Sequence, residues 1–175
     1  MRRDRPAELA AAQPDLEILL VEMIASVLGE QAEPTPEPLP AAVGLAVSRL
    51  VIQDPTDGSY LGVDVRAEGN LITTLAATLL GVAEPAPDDM LDVIAELGNI
   101  AGGNVKSLLC HNGQLSLPSA QLAFEHEGDA PDAIRAGASL LGNVVELVVM
   151  PLHSADPQTR WPSGSAQHDA EIGAR

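Results

Sequence analysis

Asp92, Glu96, Asn99, Gly103 and Lys106 are spaced 4, 3, 4 and 3 residues apart, so a helix through them carries all five on one face. Carboxylates, an amide and an ammonium in a row bind and orient polar groups, but they include no nucleophile. Taken alone, such a stripe is the solvated face of an amphipathic helix. Two features argue for more. Asn99 falls mid-helix, where its short amide competes for backbone hydrogen bonds. Gly98, Gly102 and Gly103 each cost roughly 1 kcal/mol against alanine in a helix interior. A helix that only covered a sheet would do better with Ala, Lys or Gln there. Small residues beside a carboxylate and an amide imply that something approaches this face closely. Glycines also serve packing between helices, and periodicity alone does not separate the two uses.

No rival chemistry competes with the stripe. His111, His126, His153 and His168 lack the short spacings of zinc ligands. Ser116 sits in no Gly-x-Ser-x-Gly elbow, and Gly102 and Gly103 belong to no Gly-x-x-x-x-Gly-Lys loop. Cys110 follows two leucines at a helix end and reads as a packed thiol. Lys106 suits the negative end of the same helix.

The elements that must position the stripe follow from pattern. Residues 88–109 form its helix, opened by Asp88 and Asp89, with Met90, Ile94, Leu97, Ala101, Val105 and Leu108 opposite the stripe. Leu16, Leu19, Leu20, Met23, Ile24, Val27 and Leu28 predict a first helix, with Asp15 as N-cap and Gly29 as stop. The prolines at 34, 36, 38 and 40 predict an extended spacer over 33–40 outside the core. Residues 43–53 and 60–66 read as strands joined by Asp54, Pro55, Thr56, Asp57 and Gly58, which is hairpin chemistry. Residues 70–80 read as a helix through Leu71, Ile72, Leu75, Leu79 and Leu80, with Gly81 as its cap. A strand around 121–126 and a last strand or pair within 138–152 complete the set. Val144, Val148 and Met150 alternate with Val145, Leu147 and Val149, so the last strand is apolar on both faces and is central or covered by a partner. Residues 1–14 and 153–175 read as flexible ends, and 15–152 as one domain. Helices mixed with hairpin-joined strands make it α+β, in two layers.

Composition narrows the partners. The chain has 175 residues, 25 acidic against 9 basic, and a net charge of −16. Nine cations in that field cannot neutralise phosphate backbones or anionic lipid, which excludes nucleic acid and membrane surfaces. A single cysteine, and no apolar run long enough to span a bilayer, indicate a cytoplasmic protein.

The motif Asp92-x3-Glu96-x2-Asn99, then Gly102-Gly103-Asn104-x-Lys106, then Leu115-Ser116-Leu117-Pro118, resembles the CheC/CheX-type chemotaxis phosphatases, and among them the CheX-like domains. The order of the preceding hairpin and helix is similar too. The resemblance implies an antiparallel sheet with long helices packed on it. It also implies a hydrolase that dephosphorylates the phospho-aspartate of a CheY-like response regulator. Glu96 and Asn99 would be the catalytic pair: Asn99 orients the attacking water and Glu96 pairs with the regulator's active-site lysine. Asp92, Gly102, Gly103 and Lys106 would meet the partner. The regulator brings Mg²⁺, so the chain needs no metal or cofactor of its own. A homodimer whose last strand extends the sheet across subunits is implied as well. The alternative is a non-catalytic adaptor or scaffold that binds receivers with the same face. Two departures stand out: the first helix lacks Glu-x-x-Asn, so one site is expected, and Pro118 lies closer to Asn99 than in the family.

Overall fold

A computed structural model describes residues 4–29, 31–39, 44–123 and 130–152. The first helix, α1 (Arg5–Leu28), starts well before the expected N-cap, Asp15. The dipeptide Pro14-Asp15 imitates a helix start, but Pro14 lies inside α1 and the true N-cap is Asp4, whose carboxylate accepts the Ala7 N–H. An interior proline removes one hydrogen bond and costs about 3 kcal/mol. Burial of Leu9 and Ala12, on the same face as Leu16 and Leu20, offsets that loss. The Arg5 side chain adds an anchor, since its guanidinium donates to Asp54 and Ser59 in the first hairpin turn and to Glu8. The expectation of a flexible 1–14 therefore fails from Arg5 onward.

The proline spacer is tied to the sheet. Its strand β1 (Glu33–Pro34) pairs with β6 (Ile134–Leu140), and the Thr35 N–H donates to the Gly137 carbonyl at 2.9 Å. Leu39 is buried, and its N–H donates to the Glu146 carboxylate at 2.9 Å. The expected hairpin is present as β2 (Leu45–Gln53) and β3 (Tyr60–Glu68), with Gly58 at φ +71° in its turn. Next come α2 (Gly69–Leu80), closed by Gly81 at φ +68°, and α3 (Pro87–Leu109). Two short strands, β4 (Gln114–Leu115) and β5 (Ser119–Ala123), lead towards β6 and β7 (Asn143–Leu152). The expected strand at 121–126 is thus shifted, and its residues 124–126 lie outside the described part, as does the expected tail at 153–175.

All pairings are antiparallel, in the order β1-β6-β7-β3-β2-β4, with β5 also on β2. The helices pack on the sheet, α3 over β2 and β3 and α1 over β6 and β7, while α2 leans on α3. The main core lies between the layers: Leu50, Val63, Val65, Leu147 and Val149 from the sheet meet Leu20, Ile24, Leu71, Ile94 and Val105 from the helices. The fold is α+β, as the patterns imply. β7 lies between β3 and β6, the central place expected for it, and both of its apolar faces are buried. An interior strand cannot extend a sheet into a second copy, so a dimer built through it is excluded.

Candidate functional site

Helix α3 is aimed by its ends and by its contact with the sheet. Asp89 accepts the Ala86 N–H at 2.8 Å, and Asp88 and Asp89 complement the N-terminal partial charge. At the far end, Lys106 lies in the last turn. Val93, Ile94, Leu97, Ala101 and Val105 are buried against the sheet.

Asp92, Glu96 and Asn99 are exposed side by side on the opposite face, with Gly103 and Lys106 half-buried further along. Among the described residues, none of the side chains of Asp92, Glu96 and Asn99 takes part in a hydrogen bond or ion pair. Two carboxylates and an amide are thus presented to solvent, with no bond to another described residue.

Gly102 does not belong to this face, and its placement among partner-binding residues is corrected. It is buried towards the sheet, where an added Cβ would collide with the Leu50 side chain. Gly98 does the same at Ser48: a Cβ there would meet the Ser48 hydroxyl and lie 2.8 Å from the Ser48 Cβ. What approaches these two glycines closely is the molecule's own strand β2. Gly103 alone of the three leaves open space beyond its Cα.

The Leu115–Pro118 run borders the site. The Ser116 N–H donates to the Val51 carbonyl and its hydroxyl accepts the Val51 N–H, each at 2.9 Å. With this pair of hydrogen bonds holding the run on β2, Pro118 lies 3.9 Å from the position of a Gly98 Cβ, next to Asn99. Leu117, 89% exposed, projects from this run.

On the other flank, the last turn of α2 departs from the pattern. Leu79 and Leu80, part of the apolar pattern of this helix, are 52% and 50% exposed. They border a groove of about 230 Å³ that also touches Asp89, Asp92 and Glu96. The same helix buries the consecutive pairs Leu71–Ile72 and Leu75–Ala76, so the apolar pattern carries no sign that Leu79 and Leu80 would be left half exposed. Among the described residues no cluster of three or more His, Cys, Asp or Glu side chains forms a metal site. No described helix is long and apolar enough to cross a membrane.

No family model and no curated protein matches the sequence. Solved structures do match. The chemotaxis protein CheX of Vibrio vulnificus superposes with a TM-score of 0.62 at 11% identity, over 78% of this chain and 93% of that one. The chain has a CheX-like fold. CheX of Desulfovibrio desulfuricans gives a TM-score of 0.60 at 15% identity, over 81% of this chain and 98% of that one. A third match, at TM-score 0.58 and 13% identity over 79% and 97% of the two chains, is CheX of Borrelia burgdorferi in complex with CheY, BeF3 and Mg²⁺. At these identities the likeness concerns the fold, and CheX-like describes the layering of α1, α2 and α3 on the antiparallel sheet.

Proposed function

We propose that this protein is a cytoplasmic phosphatase for the phospho-aspartate of a CheY-like receiver domain, with Glu96 and Asn99 as its catalytic pair. One observation carries the reading: an exposed Glu96–Asn99 pair, free of hydrogen bonds among the described residues, on the helix that Gly98 and Gly102 seat closely on a CheX-like sheet. A similar fold has been solved bound to CheY with BeF3 and Mg²⁺.

The chemistry asks little of the phosphatase. Water attacks phosphorus in line, the acyl phosphate's P–O bond breaks, and the aspartate carboxylate leaves as inorganic phosphate forms. Positioning and charge stabilisation dominate such a transfer. The Asn99 amide accepts a hydrogen bond from the water and donates to a phosphoryl oxygen, fixing the line of attack. Glu96 pairs with the receiver's lysine and sets the depth of insertion. Mg²⁺ arrives with the receiver. Asp92, Gly103 and Lys106 extend the contact along α3. If two copies associate, among the described strands the sheet ends at β1 on one side and at β4 and β5 on the other, so pairing would occur there.

The test is phosphate loss from purified, phosphorylated receiver domains of the same genome. Wild-type protein accelerates the loss for a cognate receiver. Asn99→Ala removes the acceleration and retains binding, whereas Glu96→Ala weakens binding as well. Binding that saturates without faster phosphate loss would instead establish the adaptor reading.

A further inference from the structure

The groove beside the catalytic face has a chemistry of its own. Val27, Leu79, Leu80, Val93 and Leu97 give it an apolar lining, and it measures about 230 Å³. Leu79 and Leu80 remain half exposed, an arrangement that leaves apolar area in water unless something covers it.

Its charged lining is acidic. Asp89, Asp92 and Glu96 stand along one side, and no lysine or arginine lines it among the described residues. Val27 lies in the last turn of α1, and Leu79 and Leu80 in the last turn of α2; neither turn holds a basic residue. Each helix C-terminus presents roughly half a negative charge. The N-terminal end of α3, capped by Asp89, is the one positive end there, so two negative helix ends and three carboxylates leave the apolar depression net negative. Glu96 belongs to both the rim and the catalytic pair, so whatever engages Glu96 also lies over the groove.

We infer that this groove is the receiver's docking pocket: it seats a large apolar side chain of the receiver, with an adjacent lysine or arginine against Asp89 and Asp92. The inference rests on the phosphatase reading and adds to it a second point of contact. Catalysis uses Glu96 and Asn99; the groove sets which receiver is held and for how long.

The experiment measures affinity for a cognate receiver trapped with beryllofluoride and Mg²⁺, and steady-state dephosphorylation of the same receiver. Leu80→Asp and Leu79→Ser change half-exposed side chains, and thermal unfolding verifies that they fold. Both weaken binding and raise KM about tenfold or more, as loss of a central apolar anchor does, while kcat stays close to wild type. Asp92→Asn weakens binding less, and its effect fades at high salt, as for a rim charge. Leu141→Asn, at an exposed leucine in the β6–β7 turn, binds as wild type. If both leucine variants bind the receiver within twofold of wild type while Asn99→Ala abolishes phosphate loss, the groove is not the dock and the phosphatase reading stands. If wild-type protein neither binds nor dephosphorylates any receiver, both fall.

Discussion

Gly98 and Gly103 lie five residues apart on α3, and a methyl group meets opposite fates at the two positions. At Gly98 it would collide with Ser48 where that side chain leaves the strand, so neither backbone has room to yield. At Gly102 it meets the Leu50 side-chain end, which shifts more easily but is itself fully buried. At Gly103 it meets nothing within 4 Å. Gly98→Ala and Gly102→Ala should each destabilise by about 1–3 kcal/mol, Gly98→Ala the more, as overpacking does. Gly103→Ala should stabilise by up to about 1 kcal/mol through helix propensity and, if the proposed phosphatase function holds, slow dephosphorylation by crowding this face. Urea midpoints at unchanged m-value, read beside phosphate-release rates, check all three. A destabilised Gly103→Ala would sink this division. Helical spacing made Asp92, Glu96 and Asn99 legible from the sequence, because exposure follows angle around the axis. The same arithmetic could not say from which side the glycines are approached, since that depends on how close the sheet lies.

At the scale of elements, local turn chemistry carried most of the information. The Asp54–Gly58 turn and the Gly81 cap place the hairpin and the end of α2 as expected, because each is fixed by residues adjacent in sequence. The start of α1 was hidden because what holds it is distant: Arg5 reaches a hairpin turn 49 residues away. The proline spacer misled in the same way, since Gly137, which lets Thr35 pass close, lies a hundred residues downstream. The β6–β7 connection shows a local rule broken. Leu140 pairs with Asn143, so the loop is Leu141-Gly142, with φ of +52° and +75°. Both positive angles mark a type I′ turn, for which Asn-Gly is the favoured pair. Leucine at the left-handed position costs about 1 kcal/mol. Leu141→Asn should therefore raise stability by about that amount and leave the hairpin register intact. A lowered unfolding midpoint would show that the exposed Leu141 side chain contributes packing instead.

For the whole molecule, a charge of −16 is little changed by how the cations are used. Arg5 is engaged by Asp54, Asp57 and Glu8, Arg49 and Arg66 by Asp64, and Arg135 by Glu146. Among the described residues, four arginines are thus committed to five carboxylates, Glu8, Asp54, Asp57, Asp64 and Glu146, so these pairs leave nearly all of the net negative charge in place. At pH 7 and low ionic strength that charge repels itself. Raising salt from about 10 mM to 150 mM shortens the Debye length from about 30 Å to 8 Å and should raise the thermal midpoint. Acid has two opposed effects. Mild acidification lowers the net charge and relieves repulsion, but the Arg5 clamp eventually fails. Burial pushes the Asp54 carboxyl up, but hydrogen bonds from Thr56 and Arg5 more than compensate and hold it at about 2, against an ordinary 3.8. Because the folded value is the lower one, this stabilisation is complete above pH 3.8 and is lost as pH falls through about 2. It amounts to about 2 kcal/mol. Arg5→Met strands the Asp54 charge in a buried place and should cost about 3 kcal/mol at pH 7. It should also flatten the loss of stability between pH 4 and pH 2, because Asp54 then titrates nearer its unfolded value. Urea unfolding of both proteins across pH 2–7 separates the terms. Parallel acid limbs would mean that general charge, and not the Arg5–Asp54 contact, governs acid unfolding.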